Sequence, residues 1–218
     1  FAGGNYYTRG GDSRMDKHGY LVNGGGYTLQ GRETDPTTGN PVGDTPGRIQ
    51  INRDFLAART TSSIGLEANL PLWPKTVNAD PDVANSELLT VGRFTPALAD
   101  LSVISADNED IFLDNSLSGG AVTAYDDLGA PANVQFRWAK TDNAAGGGDT
   151  WNLFYKTSDS ATGATTKWTN VGQDYAFDAQ GRLSPAVDAT TVTGMTVNGI
   201  ALGNVTLNHG SSNITQYN

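Results

Sequence analysis

Apolar and polar positions alternate through the second half of the chain. In "VQFRWA", Val134, Phe136 and Trp138 alternate with Gln135 and Arg137, and in "TWNLFYKT", Trp151, Leu153 and Tyr155 share one face. A period of two marks a half-buried strand, and the loop "TDNAAGGGD" joins these two runs into a hairpin with a long tip. Further runs, "KWTNV", "DYAFD", "TVTGMTVNGI" and "NVTLNH", recur between turn residues, as in a β-barrel or sandwich. The stretch from Pro74 to Asn115 keeps no such period. Within it "DPDVANSELL" fits a helical turn or two, with Asp80 or Asp82 near its N-terminus, and "TPALADLSVI" fits helix and strand equally. "DFLAARTT" reads as a helical turn ahead of the strand-like "SIGLEANL".

Three segments repeat one turn pattern, a hydrophobic run, then Asp-x-x-Gly, then another run. They are "RMDKHGYLV" with Asp16 and Gly19, "TAYDDLGAPANVQFRW" with Asp126 and Gly129, and "YAFDAQGRL" with Asp178 and Gly181. An Asp at the first turn position accepts backbone hydrogen bonds, and Gly supplies the positive φ that closes a type I turn with a bulge. Each segment is expected to be a hairpin.

Composition agrees with this pattern. Twenty-seven glycines and nine prolines punctuate the chain, and Val, Thr, Tyr and Ile are spread through it, so short strands are favoured over long helices. At 218 residues the chain has room for one or two cores, domains commonly running to about 100–150 residues. Net charge is −9 but unevenly placed. Residues 1–72 hold seven basic and seven acidic side chains, whereas residues 73–218 hold seven basic and sixteen acidic ones. That shift predicts a boundary near residues 70–75, with β-rich domains at 1–72 and 73–218. Clustered Lys and Arg of the kind that neutralise phosphates are missing, which excludes nucleic acid as a partner. No apolar run approaches the roughly 20 residues of a membrane helix, so no membrane partner is expected. Without cysteine there are no disulfides, thiolate chemistry or cysteine zinc sites.

The remaining candidates for chemistry are few. His18 and His209 are the only histidines, and neither has a second member for a triad or ligand set; His18 reads as an exposed turn residue. "ADPDVANSE" and "SADNEDIFLDN" offer oxygens to a cation, yet counting from Asp80 the EF-hand glycine is Asn85 and its terminal glutamate is Val91. Both stretches therefore read as solvated acidic loops. Trp73, Trp138, Trp151 and Trp168 suggest a sugar-stacking platform, with Trp138 and Trp151 better explained as packing residues in register with other apolar positions. No catalytic, cofactor-binding or metal-binding residue is assigned, and the chain is read as a non-enzyme.

The opening run "YYTRGGDSRMDKHGYLVNGGGYTLQGR" resembles a signature of the bacterial flagellar rod and hook proteins. It is carried by Tyr7, Thr8, Arg9, Gly11, Asp16, Gly19, Leu21, Val22, Asn23, Gly26, Leu29 and Gly31. Ser13 stands where that signature has Phe, which implies a differently packed first strand. "LAARTTSSIGLEANLP", "GAVTAYDDLGAPANVQFRW" and "SSNITQYN" are similar to segments of hook proteins in particular. The resemblance implies a mostly β structure, an incomplete inner β domain followed by an outer β-barrel or sandwich-like domain. It also implies a structural, self-assembling role in the extracellular hook, the universal joint of the flagellum. Its implied partners are other copies in a helical tube and the rod and hook–filament junction proteins, and no cofactor is implied. Helical ends of the kind hook subunits carry are not seen, so a monomeric central fragment is expected. A hinge is expected at Asn69 to Lys75, where "NLPLWPK" sets two prolines at the charge boundary. A secreted β-sandwich that binds carbohydrate through its tryptophans is the alternative.

Overall fold

The computed structural model describes residues 4–35, 37–51, 58–143, 148–210 and 213–217. The chain divides into two compact units, Phe1–Ala57 and Ala58–Asn218.

The first unit is made of short antiparallel pairings. Strand β1 (Ser13–Met15) pairs with β2 (Leu21–Asn23), and β3 (Gln30–Gly31) pairs with β4 (Gly47–Arg48). Single bridges, Tyr20 to Gln50 and Val22 to Thr28, link these pieces. Ser13 lies opposite Asn23 in the β1–β2 ladder, so the strand forms without the aromatic residue of the signature. Among the described residues of this unit Gly19 alone is buried, while Tyr6, Met15, Tyr27, Leu29, Val42 and Ile51 are exposed.

The second unit contains β5 (Ser63–Gly65), β6 (Ala68–Pro71), β7 (Val103–Ser105), helix α1 (Glu109–Asp114), β8 (Leu117–Tyr125), β9 (Pro131–Asn143), β10 (Asp149–Lys156), β11 (Thr166–Ala176), β12 (Ala189–Val197), β13 (Ile200–Asn208) and β14 (Ile214–Tyr217). A five-stranded antiparallel sheet runs in the order β7-β11-β10-β9-β8. A second sheet has the order β12-β13-β5, with β5 parallel to β13, and β6 forms a separate parallel pair with β14. Residues 58–72, placed with the first domain on charge alone, are thus woven into the strands that end the chain.

The expected alternation is present. Val134, Phe136, Trp138, Trp151, Leu153 and Tyr155 enter one core with Val192, Met195, Val205 and Leu207 of the second sheet. Beyond Trp138 the alternation stops, and Ala139 and Lys140 are buried as well. The cause is a third layer: Leu89, Phe94 and Phe112 cover the opposite sheet face and pack with Ile104, Ala139, Phe154 and Trp168 of the sheet. The sheet is therefore covered on both sides, and its central strands lose a solvent face. The mostly β expectation holds. No sheet closes on itself among the described residues, so the architecture is layered and the barrel option drops out.

The irregular region folds differently from expectation. Residues 80–88 form turns without α-helix, and residues 103–105 are strand. The helix of this unit is instead "EDIFLD", from one of the acidic stretches. Glu109 and Asp110 occupy its first turn, which suits the helix dipole, while Phe112 is fully buried. At its other end Arg137 donates to the Leu113 carbonyl (3.2 Å), the Ser116 carbonyl (2.7 Å) and Ser116 Oγ (2.7 Å). The helical turn expected over "DFLAARTT" falls at 54–57 outside the described residues, and its described part, 58–61, is not helical.

Candidate functional site

The conformational signature of the chain is its turns. At Asp16, Asp126 and Asp178 the backbone N–H donates to the carbonyl four residues on (2.9, 3.1 and 2.8 Å), and the turn glycine donates back to the Asp carbonyl (3.2, 3.2 and 2.9 Å). Each Oδ1 accepts two backbone N–H groups: His18 and Tyr20 at Asp16, Leu128 and Ala130 at Asp126, Gln180 and Arg182 at Asp178. Gly19, Gly129 and Gly181 have φ of +85°, +82° and +72°. A fourth copy was missed in the pattern because its first residue is Asn. Asn23 Oδ1 accepts Gly25 and Tyr27 N–H at 3.0 Å each, and Gly26 closes the turn at φ +80°. A carboxamide oxygen serves the same two donors, so the signal to seek is Asx-x-x-Gly.

Two of these turns are also docking seats. Ile51 N–H donates to the Gly19 carbonyl (2.8 Å), and a Cβ on Gly19 would stand 2.5 Å from the Ile51 carbonyl oxygen. Gln216 N–H donates to the Gly181 carbonyl (2.8 Å), and a Cβ there would collide with the Gln216 carbonyl. Burial raises the Asp16 pKa, but the N–H donors of Tyr20 and His18 outweigh it and hold the carboxyl below its usual value. At Asp178 the Arg182 N–H leads the same downward shift.

A charge cluster fastens α1 to the five-stranded sheet. Glu109 accepts Lys167 Nζ at 2.7 Å and Trp168 Nε1 at 3.0 Å, with Lys156 Nζ 3.9 Å away. Burial pushes the Glu109 pKa up, yet Lys167, Trp168 and Lys156 bring it below its usual value. Lys156 also pairs with Asp159 at 2.9 Å, and Asp159 exchanges two 2.7 Å hydrogen bonds with Asn198 at the β12–β13 turn. These charges are consumed by structure. Buried Lys140 likewise pairs with Asp149 (2.9 Å) and donates to the Leu72 carbonyl (2.6 Å) beside a cleft of about 430 Å³ lined by Asp149, Asp178, Gln180, Gln216 and Tyr217.

The sequence candidates are scattered. His18 is exposed in its turn; His209 is fully buried, with its ring edge-to-face on Tyr175 at 5.5 Å and no hydrogen-bond partner on either ring nitrogen among the described residues. Burial lowers its pKa against the smaller upward pull of the Gly210 and Val187 backbone and Asp188. Trp138, Trp151 and Trp168 are buried, which dismantles the sugar platform and leaves only Trp73 partly exposed. No group of three or more metal-ligating side chains occurs among the described residues. Of the expected hinge segment, Asn69 to Pro71 ladder with β14, and Leu72 N–H donates to the Tyr217 carbonyl at 2.6 Å, while Trp73 to Lys75 lie outside any strand.

Residues 112–218, which run from inside α1 through β14, match the family model of the flagellar basal body protein FlaE D2 domain. The flagellar hook protein FlgE of Salmonella typhimurium is 26% identical over 225 aligned residues, covering 98% of this chain and 47% of that protein. That of Escherichia coli is 26% identical over 198, covering 89% and 40%. The chain is thus similar to flagellar hook proteins over nearly its whole length. It spans about half the length of the curated relatives it matches. Two of the four turns, Asp126–Gly129 and Asp178–Gly181, fall inside the D2 match, and the other two precede it.

Proposed function

We propose that the chain is part of a structural subunit of the bacterial flagellar hook, the flexible joint that carries torque from rod to filament. The match to hook proteins over nearly its full length is the observation that carries this reading. The site geometry is consistent with it, since the ionic groups fasten one element to another and the glycine turns set strand against strand. In this reading residues 1–72 supply part of an inner domain and 73–218 an outer one. The subunit is exported by the flagellar secretion apparatus to the extracellular hook, where it contacts copies of itself in a helical tube and the rod and hook–filament junction proteins at either end. It performs no catalysis. Deleting the gene from its source bacterium and examining the cells by electron microscopy tests the proposal. Loss of hooks and of motility, restored by the gene in trans, is expected; normal hooks in the deletion strain would overturn it.

A further inference from the structure

No Asp, Glu, Lys or Arg follows Asp188 in a chain whose net charge is −9. The strands β12 and β13 belong to that uncharged tail, and β5 beside them is uncharged too. One face of this sheet packs into the core through Ile64, Val192, Leu202, Val205 and Leu207. The other is open. Across it Thr191, Thr206 and Ser63 form one row and Ala189, Asn208 and Gly65 the next. Glu67 and Asp188, the acidic residues nearest in sequence, lie beyond the strand ends.

We propose that this face is a contact surface for a second copy of the chain, a reading that rests on the self-assembling role above and gives it a location. The argument is electrostatic. Two copies of an acidic molecule repel wherever carboxylates are juxtaposed, and this face meets its twin without opposing them. Its polar groups are also already partnered within the sheet. Thr191 Oγ1 and Thr206 Oγ1 are 3.2 Å apart, Asn208 Nδ2 donates to Ser63 Oγ at 2.6 Å, and Asn204 Oδ1 accepts the Gly194 N–H at 3.1 Å. Covering the face therefore strands few donors or acceptors. Hydroxyls exchange hydrogen bonds with water and with each other at little cost, so the contact tolerates changes of register, as a bending tube requires.

The chain has no cysteine, which makes single-cysteine cross-linking clean. With a short bis-maleimide, Thr191→Cys is expected to give homodimers that increase with protein concentration and persist at high salt. Asp110→Cys, at the exposed position of α1, is expected to give none. Thr206→Glu in the Thr191→Cys background should cut the cross-linked fraction about tenfold or more, while Thr206→Val should leave it. Equal cross-linking through Asp110→Cys, or no effect of Thr206→Glu in a chain with unchanged circular dichroism, would overturn the proposal. So would a soluble oligosaccharide that shields Thr191→Cys in the absence of dimers. Concentration-dependent dimers from a protein whose gene proves dispensable for hooks would uphold the surface and sink the hook reading alone.

Discussion

The turn at Asp178–Gly181 in the second unit and the turn at Asn23–Gly26 in the first make the same set of internal hydrogen bonds, and their glycines share one backbone conformation. Their surroundings differ. Gly181 carries strand β14 against its backbone, whereas a Cβ on Gly26 would meet nothing within 4 Å. The same contrast runs through the units that hold them: two apolar clusters in the second, no buried side chain among the described residues of the first. A turn is thus specified locally, while its contribution to the fold depends on what packs against it.

The largest effect should come from the cores. Trp151 is fully buried in the larger cluster, and Trp151→Ala is expected to destabilise the second unit by about 3–5 kcal/mol. Tyr27→Ala, at an exposed position of the first unit, should change stability by less than about 0.5 kcal/mol. Urea unfolding followed by tryptophan fluorescence and circular dichroism separates the two, and a comparable loss at Tyr27 would erase the contrast between the units.

The turns themselves come next. Gly26→Ala should cost about 1–2 kcal/mol, the strain of a left-handed alanine. Gly181→Ala carries that strain and the collision with the Gln216 carbonyl as well, a further ~1–3 kcal/mol, with faster amide exchange along β14. Equal costs at both glycines would show that the docked strand adds nothing.

Much of this was legible in sequence because turn and strand are short-range signals. Val134, Phe136 and Trp138 alternate visibly, and an Asp and a Gly three residues apart announce a turn wherever they stand. What depended on distant partners was hidden. The charges of "EDIFLD" made α1 resemble a solvated loop, since the Lys167, Trp168 and Arg137 groups that hold it come from strands far along the chain. The parallel pairing of β5 with β13 and of β6 with β14 joins segments more than a hundred residues apart, and no local pattern encodes it. His209 has the sequence neighbourhood of a loop, and only the Tyr175 ring and the sheet around it make it a core residue.

His209 gives a pH test confined to the second unit. Its folded pKa lies below the ordinary value of about 6.5 because the buried ring resists charge. The unfolded chain then binds a proton that the folded one refuses. The stability contributed is fully present above about pH 6.5 and declines as pH falls from there toward the folded pKa. Urea midpoints of the wild type should fall across that window, and those of His209→Leu should stay flatter. Parallel curves would remove His209 as the cause.

The smallest effect tests whether carboxylate and carboxamide are interchangeable at these turns. Asp126 Oδ1 accepts Leu128 N–H at 2.9 Å and Ala130 N–H at 2.7 Å, and Asn23 holds the equivalent pair through its amide oxygen. Asp126→Asn therefore keeps both acceptors and should alter stability by less than about 0.5 kcal/mol. Asp126→Ala leaves the two N–H groups to water and should cost about 1 kcal/mol, the usual effect of removing a side-chain cap of this kind. If Asn at 126 proves as damaging as Ala, the turn depends on negative charge, and the equivalence drawn between the Asn23 turn and its three aspartate counterparts is wrong.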